Sequence, residues 1–296
     1  MVPGLAFLYA GLARRKNALS LVWAVVFANA ITIFVWYLWG YSLAFSPTAT
    51  NGFIGNLHNV VLENVTGGPS PSSPLIPDLL FSFFQLQFCA VTVAILMGAV
   101  AERGRVMPAM VFTFLWVPLV YSPVACWAWG VNGWGFKWGV LDYAGGGPVE
   151  IGSGMGGLAY SWVLGRRRQR ELVNFRPHNV TLVALGTFML WFGWIGFNAG
   201  SAFGANMRAI TAAWNSCMAA AFSGITWCLV RLFSVAHTLE PQDLTHPSAR
   251  LPSPKEVHCR RSLFRYYCWS RCRHPFVWVY PYLGISRPRY CLWRSV

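Results

Sequence analysis

Charge is what this sequence has least of. Nine of its 296 residues are acidic and 23 are Lys or Arg, so 11 % of the chain is charged against 55 % hydrophobic, with a mean hydropathy of +0.44. So little charge excludes a soluble domain and describes a polytopic membrane protein. The net charge of +14 does not point to nucleic acid, because the cations sit in short clusters beside apolar spans, where membrane topology places them. The eight cysteines, at positions 89, 126, 217, 228, 259, 268, 272 and 291, lack the spacing of an extracellular disulfide framework. The first four lie in or next to apolar spans and read as small hydrophobes. His258, Cys259, Cys268, Cys272 and His274 fit none of the usual zinc-ligand patterns, so neither a metal nor a cofactor is expected. Met1 to Ala13 lacks the basic region and cleavage site of a signal peptide and is too short to span; it reads as the inner half of a helix whose start is missing.

What is present is a succession of apolar runs. Ala18 to Phe45, Leu79 to Ala101, Val106 to Trp129, Val149 to Leu164, Asn179 to Phe203 and Ala209 to Val230 follow the first segment, giving seven in all. Three prolines in the fourth run are tolerable where packed neighbours satisfy the freed backbone groups. The loops alternate in charge. Arg14, Arg15 and Lys16, then Glu102, Arg103 and Arg105, then Arg166 to Arg176 mark inner loops, whereas Ser46 to Asp78 has no Lys or Arg and is rich in Gly, Pro, Ser and Asn. The N-terminus is therefore expected outside. The sequon Asn64-Val65-Thr66 falls on the outer side, and Asn179-Val180-Thr181 on the inner.

Glu150 is the anomaly. It is the only charge from Val149 to Leu164, between a Gly-Gly-Gly-Pro entry and an Arg-Arg-Arg exit. A carboxylate at that depth costs about 2.5 to 3.5 kcal/mol on insertion scales, so it should face the protein interior or a pathway. Gly152 with Gly156, and Ser153 with Gly157, give the small-xxx-small spacing that admits a neighbouring helix. A structural carboxylate bonded between helices is the plainer alternative.

Other candidates are unspecific singly. Phe88 in FFQLQF and Phe197 in GFNAGS would by default be core. Trp129, beside Gly130-Val131-Asn132-Gly133, would belong to an interfacial aromatic belt. Ser201 and Asn198 could bond backbone, and Asp142 could satisfy free amides at a helix start. No nucleophile and base pair accompanies Glu150, so an enzyme is not expected.

Together the segments VPGLAFLYAGLARRKNALS, FQLQFCAVTVA, DYAGGGPVEIGSGMGGLAYSWVLGRR and WFGWIGFNAGSAFGAN resemble the ammonium transporter family (the Amt, Mep and Rh group), most of all its fungal Mep branch. The resemblance covers Met1 to about Val230. It implies an all-α membrane bundle with about seven of the family's eleven helices, hence an incomplete inverted repeat, and a trimer of protomers each with a narrow pore. It further implies a multi-pass protein of the plasma membrane that carries ammonium or ammonia, with methylammonium as a possible analogue, as a homotrimer or a hetero-trimer with paralogues. Residue by residue, Trp129 and Ser201 resemble an outer recruitment site to which Phe88 adds a ring. Phe88 and Phe197 resemble two stacked gate rings, and Asp142 a carboxylate holding the outer mouth. Glu150 falls where most of the family has the first of two paired pore histidines; some fungal members resemble this chain in having Glu there. A carboxylate can hold charge where a neutral imidazole would not, so the proton route is the point most altered.

From residue 231 the character changes. From Leu232 onward ten cations and three acids crowd the remaining length, with no apolar run of about 18 residues. With a permissible choice of codons, Arg261 to Ser286 read one nucleotide later gives GRCSGIIAGLAAATPSSGYIPTWAS, which resembles the family's eighth helix. The expectation is a membrane domain over 1–230, followed over 231–296 by a basic, disordered tail arising from intron read-through and a frame change, with Met1 an internal start. A non-transporting membrane protein, either an ammonium sensor or a defective subunit of a hetero-trimer, is the alternative function.

Overall fold

A computed structural model describes residues 1–167 and 177–238. Helix is the only regular element in them apart from an isolated bridge between Pro69 and Pro77. With no water to bond backbone groups in hydrocarbon, each apolar run must satisfy its own amides, and helices do so.

Helix α1 is Val2–Leu12, with Pro3 in its first turn where no amide partner is lost. Helix α2 runs Arg15–Val35, widens into a π-turn at Trp36–Gly40 and ends as Tyr41–Phe45. Helix α3 is Asp78–Met97, tightening into a 3₁₀ end at Gly98–Val100. Helix α4 is Val106–Trp116, a π-turn Val117–Tyr121, then Ser122–Trp129. A short α5, Trp134–Lys137, precedes α6, which opens with a π-turn at Gly146–Ile151 and continues as Gly152–Leu164. Helix α7 is Val180–Gly200 and α8 is Met207–Thr238. Among the described residues four spans are long and apolar enough to cross a membrane: Arg15–Phe45, Asp78–Val100, Val106–Lys137 and Val180–Gly200. The seven expected segments are all helical, and the fourth keeps its expected ends.

The chain divides into two compact units, Met1–Trp214 and a second that begins at Asn215, within which the described residues form one helix. Residues 239–296 lie outside the description, and with them the frame-shifted stretch and the His and Cys tempting a zinc reading.

Within the first unit, hydroxyls inside the spans bond back to their own helices. Thr32 donates to the Ala28 carbonyl at 2.8 Å, Thr92 to Phe88 at 2.6 Å and Thr113 to Ala109 at 2.9 Å. Helix α1 packs on α7 through glycines. A β-carbon on Gly186 would stand 2.5 Å from the Leu8 amide nitrogen and 2.6 Å from the Gly4 carbonyl oxygen, and one on Gly11 would stand 2.6 Å from the Asn179 carbonyl oxygen. Backbone cannot yield as a side chain can, so overpacking there costs about 1–3 kcal/mol or more. Gly186→Val is therefore expected to lower the melting temperature and the monodisperse fraction of the detergent-solubilised protein. Gly196→Val, on the same helix with open space around it, should leave both unchanged.

One carboxylate ties three loops. Glu102 accepts the Arg14 amide at 2.9 Å and pairs with Arg167 at 2.5 Å, while Arg103 donates to the Gly165 carbonyl. Burial, and then the neighbouring Arg167, hold the Arg103 guanidinium below its ordinary value.

The loop after α2 is joined to the end of α4 and the start of α5 by backbone acceptors: Trp127 donates its indole N–H to the Phe53 carbonyl at 2.6 Å, and the Trp134 amide donates to Gly52 at 3.0 Å.

Candidate functional site

The aromatic residues converge in the first unit although they come from distant stretches of sequence. Phe88 lies on α3, Phe197 on α7 and Trp129 at the last turn of α4. The Phe88 and Phe197 rings stack with centroids 4.1 Å apart and planes 29° from parallel, and Trp129 meets Phe88 edge-on at 5.7 Å. Both phenylalanines are buried, Phe88 almost completely. Stacked and edge-to-face arrangements are those the ring quadrupole favours. Two rings not singled out in the sequence extend the cluster: Phe84 lies 4.8 Å from Phe88, and Trp194 lies 5.4 Å from Phe197. Their spacing, four and three residues from the rings they flank, was the available signal.

Trp129 is fixed by a backbone acceptor. Its indole N–H donates to the Asp142 carbonyl at 2.8 Å, which leaves the ring faces for other contacts. Asp142 in turn is held by the entry of α6. One carboxylate oxygen accepts the amides of Gly145 at 2.6 Å and Gly146 at 2.8 Å, and the other accepts Gly147 at 2.7 Å. This is the helix-start role read by default from its position: a carboxylate meets three unpaired amides where the helix dipole is positive. Gly145 makes the turn possible. Its φ is +97°, and a β-carbon there would come within 2.6 Å of Val149 Cγ2 and 3.2 Å of Trp129 Cη2.

Ser201, buried just past the end of α7, donates its hydroxyl to the Phe197 carbonyl at 2.9 Å. Its oxygen lone pairs stay available to a donor. The same bond links the serine to the helical turn that carries the stacked ring.

Glu150 sits inside the π-turn of α6 and is 5 % exposed, between Val149 and Ile151. Its Oε2 has no hydrogen-bond partner among the described residues. The plainer alternative, a carboxylate bonded between helices, calls for a partner at each oxygen. The small residues beyond it do admit neighbours, though not evenly. A β-carbon on Gly156 would stand 2.7 Å from Leu96 Cδ1 and 3.0 Å from Trp116 Nε1, and one on Gly157 would touch Ala99 at 3.4 Å. At Gly152 the nearest atom is the carbonyl oxygen of Gly147 in its own turn, at 3.6 Å. Among the described residues no group of three or more His, Cys, Asp or Glu could hold a metal ion.

The structure thus holds an aromatic cluster, an anionic turn at the entry of α6 and, within that helix, a buried carboxylate with one oxygen unpartnered. The profile of the "Ammonium Transporter Family" matches residues 1–239. The ammonium transporter MEP3 of Saccharomyces cerevisiae is 53 % identical over 231 residues, covering 78 % of this chain and 47 % of that protein. Ammonium transporter 2 of Schizosaccharomyces pombe is 53 % identical over 229 residues, covering 77 % and 45 %. Among solved structures, Saccharomyces cerevisiae Mep2 matches with a TM-score of 0.73 at 49 % identity over 79 % of this chain and 54 % of that one. A structure described as a sensor Amt protein matches with a TM-score of 0.70 at 29 % identity over 78 % and 58 %. The chain spans about half the length of the relatives it matches.

Proposed function

Because this chain belongs to the ammonium transporter family, we propose that its aromatic cluster and buried carboxylate serve ammonium recruitment, proton removal and passage of ammonia across the membrane. The observation that carries this reading is the stacked Phe88 and Phe197 pair capped edge-on by Trp129, with Glu150 buried on the next apolar helix.

Trp129 and Ser201 bind the cation outside. The indole face attracts it by a cation–π contact worth about 0.5–2 kcal/mol, and the serine oxygen accepts one of its N–H groups. Phe88 supplies a further ring, and with Phe197 it closes the passage below. Asp142 adds negative charge near the mouth while bracing Trp129 through its carbonyl. Ammonium is costly to bring into a dry passage, whereas ammonia is neutral. A route that takes the proton from the nitrogen before passage therefore rejects potassium, which has no proton to give. Glu150 takes part in that separation through the oxygen left without a partner. The protein works in the plasma membrane with its N-terminus outside, as a homotrimer or with paralogues, and takes methylammonium as an analogue.

The test is ammonium uptake by cells without another route for it. Trp129→Ala is expected to raise the half-saturating concentration by about 2- to 30-fold, with the pH profile unchanged. Glu150→Gln removes a group that can bind and release a proton, so the pH dependence of uptake should flatten. Equal, pH-independent losses in the two variants would sink the assignment of Glu150.

A second reading draws on the likeness to the sensor Amt protein and on the half-length match. In it, the chain binds ammonium without carrying it, as a sensor or as a defective subunit beside intact ones. No uptake by the chain alone, together with altered uptake by a co-expressed intact relative, would favour it.

A further inference from the structure

The sequence offers two acceptor motifs for N-linked glycan, and the structure separates them. At Asn179 the side-chain oxygen accepts the Leu182 amide at 3.1 Å and caps α7. It is committed to holding a helix start, beside an inner loop rich in arginine. Asn64 is placed otherwise. It is exposed, as is Thr66, in the cation-free loop between α2 and α3. Its φ of +63° puts it in the left-handed region, so the side chain stands out from a turn rather than along a regular element. No proline occupies the middle position, which is Val65.

We propose that Asn64 is a glycosylation site. The reaction joins C1 of an oligosaccharide to the Asn64 Nδ2. A lipid-linked pyrophosphate leaves C1 with its electron pair, and one proton leaves the amide nitrogen. Nδ2 keeps its second hydrogen. That nitrogen donates to the His58 carbonyl at 3.2 Å, and one donor hydrogen remains on it after the modification. Thr66 donates nothing to a buried partner; its oxygen accepts the Gly68 amide at 3.3 Å.

The inference rests on the outer placement of this loop, which is part of the function reading, and the experiment separates the two. The full chain is expressed in yeast, and its membrane fraction is run with and without endoglycosidase H. The expected result is a downward shift of one oligosaccharide. Asn64→Gln and Thr66→Ala should abolish it, Thr66→Ser should retain it, and Thr181→Ala, which destroys the other motif without touching the Asn179 cap, should leave it intact. In parallel, Leu75→Cys, at a position 71 % exposed in the same loop, is treated in intact spheroplasts with a membrane-impermeant maleimide. Labelling from outside without an endoglycosidase shift overturns glycosylation and leaves the orientation standing. Labelling only after permeabilisation overturns both.

Discussion

Asp142→Ala is expected to abolish ammonium uptake and to shorten the lifetime of the solubilised protein, because the lost carboxylate serves two structures at once. Three backbone amides at the entry of α6 would lose their acceptors, and hydrogen bonds to a charged group contribute about 1.5–3 kcal/mol each. The turn that presents the Asp142 carbonyl to Trp129 would then lose its anchor. Asp142→Asn divides the roles. The amide oxygen can still accept from Gly145 and Gly146, whereas an amide NH₂ cannot accept from Gly147, and the charge is gone. If the aspartate acts only as a brace, Asn should recover most of the stability and most of the uptake. If its charge also draws the cation, stability should recover while the half-saturating ammonium concentration stays raised. Uptake kinetics and a thermal melt on the same preparations distinguish the two.

Glu102→Ala should cost about 3 kcal/mol of stability, the lower end of the range for breaking a buried pair, because its partners Arg14 and Arg167 are themselves 26 % and 28 % exposed. Removal of the carboxylate leaves Arg14 and Arg167 without the anion they share, with Arg103 beside Arg167. The result should be an earlier melt, and a stronger dependence of that melt on salt as screening relieves the repulsion. Glu102→Gln keeps an acceptor for the Arg14 amide and should fall between. A melt unchanged in Glu102→Ala would mean that water replaces the carboxylate at no cost.

The seven segments were legible because each is an apolar run with at most one charge, flanked by cations or by Gly and Pro, and a helix is the only way such a run satisfies its amides in hydrocarbon. Glu150 was legible as a solitary charge, and Asp142 as a helix-start acceptor. Less of the site could be read. Trp129 is tied to a backbone carbonyl, and a carbonyl leaves no mark in a sequence. Trp194 and Phe84 looked like the other aromatics of their spans but for helical spacings of three and four residues from Phe197 and Phe88, and their approach to those rings sets them apart. Gly152 to Gly157 drew notice for their spacing, yet the backbone approach of α1 to α7 is made through Gly4, Gly11 and Gly186, whose partners lie more than 160 residues away. Glu102 looked like one charge among several in an inner loop. Its value as a shared anion depends on three loops meeting, and that is a fact of tertiary structure. Cys89 and Cys126 are free and buried, as their apolar neighbourhoods implied.

The π-turn at Val117–Tyr121 makes the number of residues in α4 matter as much as their kinds. Each residue of an α-helix advances the side-chain direction by about 100°, and a π-turn accommodates one extra residue without lengthening the helix by a full step. Loss of any single residue between Val117 and Tyr121 would let the helix close into a regular α-turn. The segment beyond it would then keep nearly its direction, because the wide turn had absorbed that residue, whereas one residue more there would rotate it by about 100°, carrying Trp129 away from Phe88 and from the Asp142 carbonyl. The aim of the indole is thus set by counting along the chain, at a place eight residues before it, where no residue touches it.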